Sequence, residues 1–133
     1  MKTIHISNNV ARRFIEDRRK GYHFPGGKNY ALALEDDNGD LLAAVFLGRP
    51  QYLYMSDGQT LEAVAAFTDV ETDGAGIYRA AAKAAFALGF SRVVVYTKSE
   101  DDRNGGALKL AGYDKGFHGE KRVRWTKERG AEK

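Results

Sequence analysis

Residues 60–97 read TLEAVAAFTDVETDGAGIYRAAAKAAFALGFSRVVVYT, and the change of hydrophobic period along this stretch decides the fold. Thr60 to Thr68 is an apolar run with one carboxylate, Glu62, inside it, and its length suits a strand. From Gly76 to Leu88 nearly every residue is apolar except Arg79 and Lys83, which sit one turn apart, so a helix covered nearly all round is predicted. Its alanines permit close approach to a sheet, and Gly89 supplies a C-terminal stop. Arg92 to Thr97 then reads as a buried, β-branched strand of the parallel kind.

Strand and helix are joined by Glu71-Thr72-Asp73-Gly74-Ala75-Gly76, which leads directly into Ile77 and Tyr78. Glycines there let successive N–H groups converge in front of the helix, where its dipole favours negative charge. A diphosphate suits such a corner. The same hexamer also reads more plainly as a glycine turn with Asp73 capping the helix.

Upstream, a short strand (Thr3 to Ile6) precedes a helix capped by Ser7, Asn8 or Asn9, with Val10, Ala11, Phe14 and Ile15 on one face, ending near Gly21. Gly21 to Asn29 is a loop rich in glycine and aromatics. Tyr30 to Glu35 and Leu41 to Gly48 are strands joined by the hairpin signal Asp36-Asp37-Asn38-Gly39, and with Thr60 to Thr68 they make an antiparallel unit. Downstream, a helix over Gly106 to Ala111 stops at Gly112, and Tyr113 to Phe117 and Arg122 to Thr126 form a closing hairpin. The expected order is β, α, β, β, β, α, β, α, β, β: one α/β (α+β) domain over residues 1–127, with 128–133 as a flexible tail.

The chain has 133 residues, enough for one core. It holds no cysteine, which excludes disulfides and thiol catalysis, and its three histidines (His5, His23, His118) lack ligand spacing, so no metal is expected. Nothing apolar approaches a membrane span or a signal peptide, and a cytoplasmic protein with no membrane partner is expected. The net charge of +3 is unevenly spread: residues 1–30 carry +5, residues 31–114 carry −6, and residues 115–133 carry +4. If the basic ends meet in space they favour an anionic partner; otherwise they are solvated surface.

The element order, the glycine turn, the covered helix and the following strand together resemble the GNAT (Gcn5-related N-acetyltransferase) superfamily, whose motif there is Arg/Gln-x-x-Gly-x-Gly/Ala. More narrowly, Gly27 to Trp125 looks like small phage and prophage GNAT-like proteins related to the Mom DNA-modification proteins. That likeness is carried by GGKNYALALEDDNGDLLAAVFLGRP, DGQTLEAVAAFTD, IYRAAAKAAFALGFSRVVVYT and ALKLAGY. It implies the GNAT fold, a mixed and mostly antiparallel central sheet whose fourth and fifth strands splay apart, with flanking helices.

It also implies acetyl-CoA as cofactor and direct transfer to an amine, as in an acetyltransferase. The pantetheine arm would lie in the gap against the main chain of Ala66, Phe67 and Thr68, whose N–H groups can polarise the thioester carbonyl. The diphosphate would meet the corner from Glu71 through Asp73, Gly74, Ala75 and Gly76 to Ile77, with Asn104 at a polar position before the next helix. Glu62 is the candidate base, sharing parity with Val64 and Ala66, and its alternative is a solvated residue or an ion pair, for instance with Arg49. Leu108 occupies the position where the family often has a tyrosine acid, so Tyr96, Tyr113 and Tyr78 are the substitutes.

The sequence departs from the motif at Glu71, and Asp69 and Asp73 add charge nearby. An acid about 6 Å from a phosphate costs roughly 0.7 kcal/mol in water and about 3 at an effective dielectric of 20. Around the acceptor mouth the fold would gather Arg12, Tyr22, His23, Phe24, Lys28, Arg49, Arg124 and Trp125, with Arg79, Lys83 or Lys109 as compensating cations near the cofactor. The aromatics could stack on a base or simply pack. The expected acceptor is anionic, a nucleotide or DNA, for a monomer or homodimer. The competing reading is a catalytically inactive module of the same shape that binds nucleic acid or a host defence protein.

Overall fold

The computed structural model describes residues 2–18, 29–50, 57–68, 74–98, 102–118 and 121–130. Its elements follow the expected order: β1 (Lys2–His5), α1 (Asn8–Arg18), β2 (Asn29–Glu35), β3 (Leu41–Gly48), β4 (Thr60–Thr68), α2 (Gly74–Ala87), β5 (Arg92–Lys98), α3 (Asp102–Leu110), β6 (Asp114–His118) and β7 (Arg122–Glu128). The seven strands among the described residues form one sheet in the order β1-β2-β3-β4-β5-β7-β6. Among these strands only β4 and β5 pair in parallel, as the crossover through α2 requires.

Local chemistry accounts for the boundaries. Ser7 caps α1, its hydroxyl accepting the Val10 N–H at 3.1 Å. Asp36 closes the β2–β3 turn by accepting the N–H groups of Asn38 (2.9 Å) and Asp40 (3.0 Å) on one carboxylate oxygen, while Gly39 takes the left-handed conformation (φ 85°). Helices α2 and α3 end alike: Gly89 and Gly112 turn left-handed, and the next residues, Phe90 and Tyr113, donate back to Ala85 and Leu108. Arg79 and Lys127 donate to the terminal carbonyls of Leu110 and Ala111, satisfying the end of α3.

The sheet has apolar layers on both faces. On one, α2 and α3 cover Leu32, Leu34, Val45, Leu47, Leu61, Val93, Val95, Val123 and Trp125. On the other, α1 lays Ala11, Phe14 and Ile15 over Ala31, Ala44 and Phe46. These are called the α2 face and the α1 face below.

Three expectations need correction. α3 begins at Asp102, four residues before the predicted Gly106, so Asn104 lies inside the helix and not before it. β7 runs to Glu128, one residue into the expected tail, because Glu128 accepts from Arg92 (3.1 Å) and the following Arg129 N–H is held by the Ser91 carbonyl (2.9 Å). α2 begins at Gly74, two residues before the predicted Gly76, so both glycines belong to its first turn.

Candidate active site

β4 and β5 pair over only three rows, Thr60–Arg92, Leu61–Val93 and Glu62–Val94. Beyond them, among the described residues, β4 pairs only with β3 and β5 only with β7, although β4 continues to Thr68 and β5 to Lys98. The strands therefore part into a V whose closed end is the Glu62–Val94 row and whose β4 side runs six residues further, about 20 Å. Along that side, the β5-facing edge of residues 63–68 has main-chain groups that β5 does not claim.

The closed end is pinned. The Gln59 carbonyl accepts the N–H groups of Ser91 (2.8 Å) and Arg92 (3.1 Å), and the Arg92 guanidinium reaches Asp57 (3.3 Å), the Thr60 hydroxyl (3.1 Å) and Glu128 (3.1 Å). One arginine thus ties the starts of β4 and β5 to the end of β7.

A bulge interrupts β4 just past the closed end. Leu47 faces Ala63 and its neighbour Phe46 faces Ala65, so Val64 is an extra residue in β4. Leu61, Ala63 and Ala66 then belong to the α2 face, whereas Val64 and Phe67 belong to the α1 face. This corrects the parity argument. Glu62 still shares a face with Val64, but the bulge has carried Ala66 to the other side.

Glu62 is 5% exposed, so a carboxylate is buried in the last paired row, on the α1 face. Tyr96 lies on the same face two residues beyond Val94, about 7 Å along β5, opposite Arg124 of β7, and its hydroxyl oxygen is buried. The other two tyrosines lie elsewhere. Tyr113 donates to the Tyr78 carbonyl at 2.9 Å within the α2-face core, and burial, with Tyr78 beside it, pushes its hydroxyl pKa well above the ordinary value. Leu108 is fully buried.

At the open end, Gly74, Ala75, Gly76 and Ile77 are the first four residues of α2, the turn whose N–H groups have no acceptor within the helix. A Cβ at Gly76 would stand 3.1 Å from the Leu34 side chain, so this turn sits directly on β2. Leu34 pairs with Ala43 and Ala43 with Thr68, which places the turn level with the end of β4. Asp69, Glu71 and Asp73 lie outside the described residues.

Of the other expected cofactor contacts, Ala66, Phe67 and Thr68 line the open part of β4, and Phe67 turns its ring edge-on to Phe14 of α1 at 6.2 Å. Asn104 is the third residue of α3. Arg79 does not serve the corner, because its guanidinium is engaged at the Leu110 carbonyl (2.8 Å).

Among the expected acceptor residues, Tyr22, His23, Phe24 and Lys28 lie outside the described residues. Arg12 is exposed on α1, and Arg49 is exposed immediately after β3, next to the Gly48–Glu62 pair. Arg124 stands on the α1 face beside Tyr96. Trp125 is a correction: it is 4% exposed in the α2-face core and donates its indole N–H to the Thr97 hydroxyl at 3.0 Å, so it cannot stack on a ligand. Lys127, a cation of the basic C-terminal block, also turns to the α2 face, where it donates to Ala111. The sequence reading missed Lys98, which the register places opposite Arg122.

No protein-family model and no curated protein sequence matches the chain. Solved structures do. The spermidine N-acetyltransferase from Vibrio cholerae in complex with CoA and spermine superposes with a TM-score of 0.72 over 98% of this chain and 96% of its own, at 10% identity. The GNAT domain of S. lividans PAT superposes with a TM-score of 0.69 over 95% of this chain and 89% of its own, at 14% identity. The chain has the GNAT fold. The parted fourth and fifth strands that the resemblance implied are β4 and β5. Among the described residues, no helix of this GNAT fold is long and apolar enough to cross a membrane.

Proposed function

We propose that the protein is an acetyl-CoA-dependent N-acyltransferase that transfers directly to an amine. The observation that carries this reading is the V between β4 and β5, with a buried carboxylate at its closed end and helix N–H groups at its open end. The residues present fit the cofactor. Gly74 to Ile77 would hold a diphosphate by their N–H groups, and the edge of Ala66, Phe67 and Thr68 that β5 leaves unclaimed would hold an extended arm, with Asn104 of α3 as a further contact. An acetyl thioester bound there supplies the acyl carbon, one C–S bond breaking as one C–N bond forms.

The chain's own groups complete the chemistry. Glu62 takes the proton that the acceptor amine must lose, and burial keeps that carboxylate from being solvated away from the reacting nitrogen. Tyr96, on the same face one strand away, is the donor for the departing sulfur. Arg12, Arg49 and Arg124 border the α1 face and favour an acceptor with negative charge, with Tyr22, His23, Phe24 and Lys28 as further contacts. The likeness to phage proteins related to Mom adds a finer form, a nucleotide or DNA amine as acceptor in the cytoplasm.

Two measurements test this. Acetyl-CoA should raise the melting temperature at micromolar to millimolar concentration, and Glu62→Gln should bind it equally while kcat/KM falls by about a hundred- to ten-thousand-fold. Equal rates in Glu62→Gln would remove Glu62 from the reaction. No binding at millimolar acetyl-CoA would remove the transferase reading altogether.

A further inference from the structure

The β5–β7 register gathers three cations on the α1 face. Lys98 pairs with Arg122 and Tyr96 pairs with Arg124, and because alternate residues share a face these four stand together. The intervening Val123 and Trp125 point to the opposite core. Lys98 and Arg122 are both exposed, and neither forms an ion pair with any other described residue. Side chains directly opposite in an antiparallel pair have Cβ atoms about 5 Å apart, and like charges in that position repel. The fold nonetheless holds two cations there, with Arg124 one row deeper and its Nε beside Gly116 of β6.

Distance gives the arrangement a chemical meaning. Glu62 faces Val94, and Tyr96 and Lys98 lie two and four residues further along β5, so the Arg124 row is about 7 Å and the Lys98–Arg122 row about 13 Å from the carboxylate row. An acceptor that offers its amine to Glu62 would present whatever stands about 13 Å behind that amine to Lys98 and Arg122. We propose that Lys98 and Arg122 form a subsite for a phosphate monoester, and that the acceptor is an amine carrying that phosphate.

A monoester bears a charge near −2 at neutral pH, and one such group can touch two cations whose Cβ atoms are 5 Å apart. A diester chain carries one charge per phosphate and calls for cations strung along it rather than converging. A polyamine such as the spermine held by the Vibrio protein is itself a cation, and this face repels it. The place of the amine at Glu62 rests on the acyl-transfer reading; the phosphate subsite does not.

The test is calorimetric titration at low salt, without acyl donor, using 6-aminohexyl phosphate against 6-aminohexanol, then spermidine and a short oligonucleotide lacking terminal phosphates. Wild type should bind the phosphate compound at least tenfold more tightly than the alcohol. Arg122→Glu gives Lys98 a cross-strand partner and should melt no lower than wild type, yet lose that preference; Lys98→Glu should do the same. The melting shift caused by CoA should persist in both variants, which excludes the helix corner as the phosphate site. Equal binding of phosphate and alcohol by wild type, an undiminished preference in both variants, or tighter binding of spermidine or of the oligonucleotide would overturn the subsite. Phosphate preference without CoA binding would instead leave the subsite standing and remove the transferase.

Discussion

Trp125 and Gly105 are interlocked. A Cβ at Gly105 would stand 3.2 Å from the indole ring, and the indole N–H is held by the buried Thr97 hydroxyl at 3.0 Å. Trp125→Phe strands that hydroxyl and should cost about 1–3 kcal/mol, read as a lower urea midpoint with unchanged CoA-induced melting shift. Gly105→Val overpacks the same contact and should cost roughly 1–3 kcal/mol by the same measurement. Neither change touches Glu62 or the α2 corner. Glu62 itself was legible, since a lone carboxylate inside an apolar strand marks itself. Trp125 was not, because an aromatic beside arginines in a strand gives no hint of which face it takes until the register is known. Tyr96 stood equal with Tyr113 and Tyr78 in the sequence, and only the Tyr113–Tyr78 hydrogen bond within the core separates them.

At the scale of elements, the V depends on a tie at one end and the absence of pairing at the other. Arg92 makes the tie through Asp57, Thr60 and Glu128, and its partial exposure limits its worth, so Arg92→Ala should cost about 1 kcal/mol. Because the tie stands at the closed end, its loss should also weaken CoA binding by letting β4 and β5 move apart there. Asp57 gives this corner a pH dependence. The Gln59 N–H above all, with the Thr60 side chain and Arg92 assisting, pulls its carboxyl below the ordinary 3.8. A lowered folded-state pKa means that the stabilisation is full above 3.8 and is lost as pH falls through the lowered value. Urea midpoints recorded downward from pH 5 should therefore fall less steeply in Asp57→Asn than in wild type. The strand limits of β3 and β4 were readable from turn residues and apolar runs. The bulge at Val64 was not, because an extra residue in an alanine-rich strand leaves no mark in composition, and it reverses the side on which Ala66 stands.

At the scale of the whole molecule, the order of the described elements followed from period changes and glycine stops, and the GNAT sheet followed from that order. The gathering of charge followed only in part. The basic ends of the chain do reach the α1 face through Arg12 and Arg124, but Lys127 is spent on the end of α3, and the third cation of the β5–β7 face, Lys98, comes from the acidic middle of the chain. Blockwise charge counting cannot see a register. The account as a whole stands on an acyl carrier lying between β4 and β5 with its phosphates on the first turn of α2. Amide chemical-shift mapping during titration with CoA tests that most directly. The largest perturbations should fall on residues 63–68 and 74–77, with smaller ones at Tyr96; perturbations confined to other elements, or none at millimolar CoA, would contradict it.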